Sequence, residues 1–445
     1  MFKATILTLV MLAAAPVLHA QSRCNEDDAG PSARSGRDAT SLPESSAADP
    51  RTQLQELVQL SLQRSRGIGA ARLLALAAQA DLDETKASRL PVVSLGGIAA
   101  HVGNVVRGHD QAKGFQGRAT VSVSAPIWDS GRISKLTDWR SELADAARFG
   151  QSNAEEQLAL QTVNLALDRG RYVLQAQVYS QYVRKMSCLV DALETITKAD
   201  RGRASELVQA QKNLQQADLS YEQTLSVLRQ TEIRMKRLVG DTLPPSAGMS
   251  SVLARLPDLG ELQHDILLAP DVAQANAQAR AQRSYAESVL AGQKPSVSLV
   301  ANGSATAGVT RTTDWSGGVQ INIPLVQPGA DAQLTAAARR SQAASLQRDE
   351  TIDAKRYRLL EMHEAANASL DRARRVVDIL RSSDRVRAST LQQWQQLGKR
   401  SLFDVMGAES DYYSLRIAHV NALFDAQQVV ALMWSMGRGV GVPLR

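Results

Sequence analysis

Apolar and polar positions alternate along the chain in two different rhythms. From Ala332 to Leu397 roughly 66 residues pass without one Gly or Pro, enough for a helical rod of about 100 Å. Arg339, Arg340, Asp349, Glu350, Lys355 and Arg356 are among its charges, so it is not a membrane helix. A second helical stretch is expected from Ile133 to about Asp200, interrupted at Gly150 and Gly170. After a turn at Gly202, residues Leu207, Ala210, Leu214, Ala217, Tyr221, Thr224, Leu228, Thr231, Met235 and Leu238 fall three and four apart, a heptad seam. Shorter helices are expected from about Thr52 to Leu90, where Pro91 stops the run, and from Pro270 to Gly292.

The other rhythm has a period of two. Val93 and Leu95 begin one extended segment that runs to Gly103, and Val121-Ser122-Val123-Ser124 alternates in a second. The polar, glycine-containing stretch from His101 to Gly117 reads as the loop between them. Pro295 to Leu299 and Val319 to Leu325 repeat the same texture.

These elements come in the same order twice, at an offset of about 196 residues. Residues 51–245 form a first copy (helix, hairpin at 91–127, long helices) and residues 246–437 a second (helix, hairpin at 295–325, long helices), followed by a tail at 438–445. In the second copy the seam is carried by Phe403, Met406, Tyr413, Ile417, Val420, Phe424 and Trp434. The expected fold class is mainly α with a small β part.

Composition sharpens the picture. Residues 1–20 have the features of a secretory signal: Lys3, an apolar run from Ile6 to Ala15, and Leu18-His19-Ala20 before a cleavage point. Residues 21–50 are rich in Ser, Asp, Ala and Pro and read as a disordered leader. Arg23 directly before Cys24 argues against lipidation there, and Cys188, inside an expected helix, reads as a free buried thiol. The net charge of +6 is spread along the helices without an aromatic platform, which gives nucleic-acid binding no support.

An exported chain with four strands that are apolar on one face and polar on the other fits an outer-membrane barrel. Four strands cannot enclose a lumen, and an open sheet edge cannot sit in lipid with its backbone groups unpaired, so several chains must share one barrel. Pattern alone does not choose two copies over three.

Nearly all of the mature chain resembles the TolC-like family of outer-membrane efflux and type I secretion channels. The likeness is carried by the duplicated plan, by Leu90-Pro91-Val92-Val93-Ser94-Leu95 and Pro126-Ile127-Trp128-Asp129-Ser130-Gly131-Arg132, and by two turn motifs, Gly202-Arg203-Ala204-Ser205 and Gly398-Lys399-Arg400-Ser401-Leu402-Phe403-Asp404-Val405. The resemblance implies long coiled-coil helices forming an α-barrel across the periplasm and a homotrimer whose copies share a twelve-stranded β-barrel in outer-membrane lipid of a Gram-negative bacterium. It implies work with a periplasmic adaptor (membrane fusion) protein and an inner-membrane transporter of the ABC, RND or MFS type. It also places Asp404 and Arg400 at a periplasmic gate, with Gly202, Arg203, Ser205, Gly398, Lys399 and Ser401 at the helix-tip turns that meet the adaptor. Copies of Asp404 around one axis would form an anionic ring that attracts cations. Gly407 and Val208 stand where further acidic residues often occur, so fewer ionic contacts are expected to hold this gate. A solvated pair of Arg400 and Asp404, four residues apart, is the plainer reading of the same residues.

No catalytic centre, cofactor or metal site is expected. His363-Glu364-Ala365-Ala366-Asn367 lacks the second histidine of a zinc protease, the other histidines are scattered, and Gly437, Gly439 and Gly441 follow a helix where a phosphate loop would join strand to helix. Trp128 and Trp315 flank the strands and suit a membrane interface as well as ordinary packing. The alternatives to a channel are a periplasmic adaptor, which would carry one helical hairpin and not two, and a structural coiled-coil protein without a pore, which would not explain the strand pairs.

Overall fold

The computed structural model describes residues 49–106, 109–246, 248–397 and 400–444. The expected signal, the leader up to residue 48, and Gly398 and Lys399 lie outside these residues. In chain order the elements are α1 (Pro50–Arg64), α2 (Arg66–Ala87), β1 (Val92–Val106), β2 (His109–Trp128), α3 (Arg132–Ala199), α4 (Ala204–Val239), α5 (Leu259–Asp265), α6 (Pro270–Ala291), β3 (Ser296–Gly308), β4 (Thr312–Asn322), α7 (Ala330–Leu397) and α8 (Leu402–Ser435).

The chain divides into two compact units whose boundaries fall between α1 and α2 and inside α3, α5 and α7. The described residues up to Ser65, with those of Glu156–Gln263 and from Tyr357 onward, make up the first, which is helical; the second comprises the described residues of Arg66–Glu155 and His264–Arg356 and holds the sheet with the helix segments next to it.

In the second unit the four strands form one antiparallel sheet in the order β1-β2-β3-β4. The stretch from His101 to Gly117 is paired almost throughout, with a register shift at Asn104/Val105, which corrects its reading as a loop. Polar and glycine residues are compatible with a ladder because pairing satisfies the backbone whatever the side chains do. At the far end, Gly308 has φ +128°, and a Cβ there would collide with the Phe115 carbonyl oxygen. The turn into α3 is built from its sequence: Asp129 accepts from the backbone N–H of Gly131 (3.1 Å) and of Ile133 (2.5 Å), Gly131 takes φ 86°, and Ser130 donates to the Pro295 carbonyl (2.7 Å). Among the helix segments of this unit, α2 bonds α3 through Arg140–Asp81 (3.3 Å). α3 bonds α6 through Lys135–Glu287 (2.7 Å) and Arg280–Glu142 (2.8 Å), with Trp139 against Tyr285, and α6 bonds α7 through Lys355 and Asp271. The helix order α2-α3-α6-α7 therefore repeats the strand order, leaving α2 and α7 as the outer members.

In the first unit Gly170 does not interrupt α3. A Cβ there would lie 3.0 Å from Met249 Cβ and 3.1 Å from Phe424 Cε1, so glycine permits a close approach without ending the helix. The first seam is confirmed: Ala210, Ala217, Thr224, Thr231 and Met235 are buried. In the second seam Met406, Tyr413, Val420 and Phe424 are buried while Phe403 is half exposed, because the first turn of α8 directs Leu402 into the core in its place. The expected single helix from Thr52 to Leu90 is two, α1 and α2, divided at the extended Ser65. The tail is docked: Val440 and Leu444 are buried and Glu156 accepts from the Val440 N–H (2.6 Å). Cys188 is disulfide-bonded, which corrects its reading as a free thiol; Cys24 lies outside the described residues. No helix among the described residues is long and apolar enough to cross a membrane.

Candidate functional site

Two features of the fold bear on function. The first is the sheet. Its register aligns Leu95 with Val121, Val121 with Gly303 and Gly303 with Trp315, and likewise Val93 with Val123 and Leu299 with Val319. Side chains two residues apart share a face, so Val93, Leu95, Val121, Trp315, Val319 and Ile321 all stand on one side. All six are exposed, Trp315 by 87%. The opposite side carries Ser122, Ser124, Ser298, Asn302, Gln320 and Asn322.

Trp128 belongs to the polar side by its parity, but a register shift between Pro126 and Trp128 pairs it with Val297 and turns it to the apolar side. About 40 Å of strand separates Trp128 from Phe115 on that side, or about 30 Å of height at the usual barrel tilt, which matches a hydrocarbon core. Both outer strands, β1 and β4, have one unpaired edge.

The second feature is the pair of helix turns in the first unit. Between α3 and α4, the Asp200 side chain accepts from the Gly202 N–H (2.9 Å) over a short 3-10 turn, Arg201–Arg203, with Ser205 exposed. At the start of α8, Ser401 and Asp404 form a capping box: the Asp404 N–H donates to Ser401 Oγ (3.3 Å) and the Ser401 N–H to Asp404 Oδ2 (3.2 Å). Arg400 reaches Asp404 only at 3.9 Å, with both side chains about half exposed, and also donates to Gln393 (3.2 Å). Within one chain Asp404 is thus first a helix cap and only weakly an ion-pair partner.

Behind these turns, Leu402, Val405 and Met406 pack on Met186, Leu189, Val190 and Leu193 of α3 and Ala210 and Ala217 of α4, joining the two tips through one apolar cluster. Beside it lies a charged group that sequence reading missed. Glu409 of α8 is 0% exposed, with Lys185 of α3 at 3.7 Å and Arg387 of α7 at 3.4 Å; Lys185 is itself only 6% exposed. Arg387 also pairs with Asp384 (2.9 Å) and lies over the Tyr412 ring at 4.3 Å. Tyr182 packs against Tyr413 at 4.8 Å, and burial, only partly offset by a hydrogen bond with Ser410, pushes the Tyr182 phenol up. A signal for Glu409 existed: it falls between Met406 and Tyr413 at seam spacing, a charge where the pattern calls for an apolar side chain.

His363 contacts Asn367 at 3.3 Å, and no group of residues suited to a metal occurs among the described residues.

Residues 262–438 match the family model described as outer membrane efflux protein. No curated protein matches the sequence. Among solved structures the chain is similar to CusC, described for conformational changes accompanying folding and transmembrane channel formation (18% identity, TM-score 0.78, covering 87% of this chain and 92% of that one). It is similar to the outer-membrane channel OprN (20% identity, TM-score 0.77, 88% and 91%). It is also similar to the outer membrane protein VceC of Vibrio cholerae (18% identity, TM-score 0.75, 87% and 96%).

Proposed function

We infer, for a chain whose residues 262–438 match the outer membrane efflux protein family model and whose fold is like that of solved outer-membrane channels, that it is the outer-membrane exit duct of an export system. Three copies close a twelve-stranded barrel in the outer membrane, and their helices continue it into the periplasm as a tunnel. The observation that carries this reading is the register-locked sheet with one apolar face, one polar face and two open edges. In water such a face would be buried against a core; in lipid it is correctly solvated, but only if no edge is left open.

Joining β4 of one copy to β1 of the next satisfies both edges, and the same heterologous step brings α7 of one copy to α2 of the next, where Leu73, Leu74 and Leu76 stand exposed. The periplasmic adaptor, working with the inner-membrane pump, meets the tip turns at Gly202, Arg203, Ser205, Gly398, Lys399 and Ser401. Asp404, with Arg400 beside it, rings the tunnel mouth there. Cargo, whether small molecules or a secreted protein, is chosen by the pump.

Membrane fractionation tests the reading. The protein should require detergent for extraction, run as a heat-sensitive trimer on gels and conduct ions in planar bilayers. A monomer soluble without detergent would refute it.

A further inference from the structure

The polar face of the sheet is almost free of charge. Among the described residues whose side chains are placed, those facing the same way as Ser122 are hydroxyl, amide, glycine or apolar residues except two, Arg118 on β2 and Asp314 on β4, both exposed. Arg118 pairs in register with Thr306, and Thr306 with Thr312; Asp314 pairs with Ser304, and Ser304 with Thr120. The two charges therefore stand two strands apart and one same-face step apart in height, about 12 Å from each other. Both lie near the β1–β2 and β3–β4 connections, Arg118 only three residues from Phe115 and ten from Trp128.

We propose that Arg118 and Asp314 are the specificity-determining residues of the barrel lumen, a belt of alternating charge near its outer mouth that every permeating ion or organic solute must pass. The proposal rests on the channel reading above, which makes the polar face the lumen.

The alternation follows from topology. When β4 of one copy joins β1 of the next, positive and negative side chains recur on every second strand around the whole ring, whatever the number of copies. At that spacing the charges neutralise each other poorly across water, so each acts on solutes within about one Debye length, ~8 Å at physiological salt. Away from the belt the described residues of this face are hydroxyl, amide, glycine or apolar and hold neither sign of charge. The barrel thus passes cationic and anionic solutes alike and discriminates by how charge is distributed within one molecule. A zwitterion can lie across neighbouring posts of the belt, whereas a solute with two like charges meets one unfavourable post.

Reversal potentials in planar bilayers under a KCl gradient test this, using Asp404→Ala as the parent so that the tip does not dominate the measured selectivity. At about 0.1 M salt, Arg118→Gln should raise the cation-over-anion permeability ratio about two- to fivefold and Asp314→Asn should lower it by a similar factor. The double variant should return to the parent value. All differences should shrink at 1 M salt, where the Debye length is about 3 Å. Should Asp314→Asn fail to insert, Ser304→Lys on the same rung should shift the ratio in the same direction. Single variants at the parent ratio, or both moving one way, would overturn the belt. A parent that forms no conducting trimer would instead refute the channel reading itself.

Discussion

At the scale of single residues, the capping role of Asp404 and the gate role proposed for it can be separated. Its charge would form the anionic ring, while its carboxylate oxygen closes the capping box with Ser401. Asp404→Asn keeps an acceptor and removes the charge; Asp404→Ala removes both. Asn is therefore expected to raise single-channel conductance and weaken block by multivalent cations at nearly unchanged stability, and Ala to do the same with an added loss of about 1 kcal/mol. Bilayer recordings alongside thermal unfolding separate the two, and unchanged block in both variants would refute the ring.

Glu409 sets a different test. Removing its carboxylate leaves Lys185 and Arg387 facing each other inside the helical unit, so Glu409→Ala should cost about 3 to 5 kcal/mol. Removing one cation along with it, in Lys185→Met/Glu409→Leu, leaves Arg387 its Asp384 partner and should recover most of that loss in a denaturant titration. Sequence reading named Asp404 and Arg400 through a motif. It passed over Glu409 because nothing local says which cations on two other helices will meet it.

At the scale of elements, periodicity was a good guide to where helices and strands lie and a poor one to where they stop. The seam in α4 is the buried face, as its spacing requires. The stretch from His101 to Gly117 looked like a loop because it is polar and contains glycine, yet strand pairing depends on backbone partners that a single segment does not contain. The same holds for Gly170, whose role appears only with Phe424 opposite it.

Helix pairing in the sheet-bearing unit also carries a pH dependence. The Lys135 hydrogen bond, with Arg283 adding to it, holds the Glu287 carboxyl below its usual range, and Glu287 in turn raises Lys135. The glutamate's contribution is present above its unfolded value near 4.5 and is lost as pH falls through its lowered folded value. The lysine's contribution is present below 10.5 and is lost as pH rises through its raised folded value. Both side chains are well exposed, so Glu287→Gln should lower the thermal midpoint at pH 7 by no more than about 2 °C. It should also flatten the loss of stability below pH 4.5, which a midpoint-against-pH series would show.

At the scale of the whole molecule, two rows of elements in the sheet-bearing unit leave matching ends: the strands end in β1 and β4, and the helix segments in α2 and α7. One assembly step that satisfies both is more demanding than either alone, and this is why extraction in detergent and a heat-sensitive trimer are the decisive observations for the chain. The duplication explains the agreement, since each copy of the plan supplies one hairpin and the helices that flank it.

The sequence by itself determined the kind and order of the main elements, their recurrence in two copies and the two-faced character of the strands, because these follow from spacing along the chain and from where Gly and Pro fall. Only the tertiary structure decided the register that gathers Val93, Val121, Trp315 and Ile321 on one face, and the shift that turns Trp128 to join them. It alone showed Arg118 and Asp314 as the charges of the other face, and Glu409 between two cations. Periodicity is a property of neighbours in sequence. Register and burial depend on contacts between residues tens to hundreds of positions apart, and those exist only once the chain has folded.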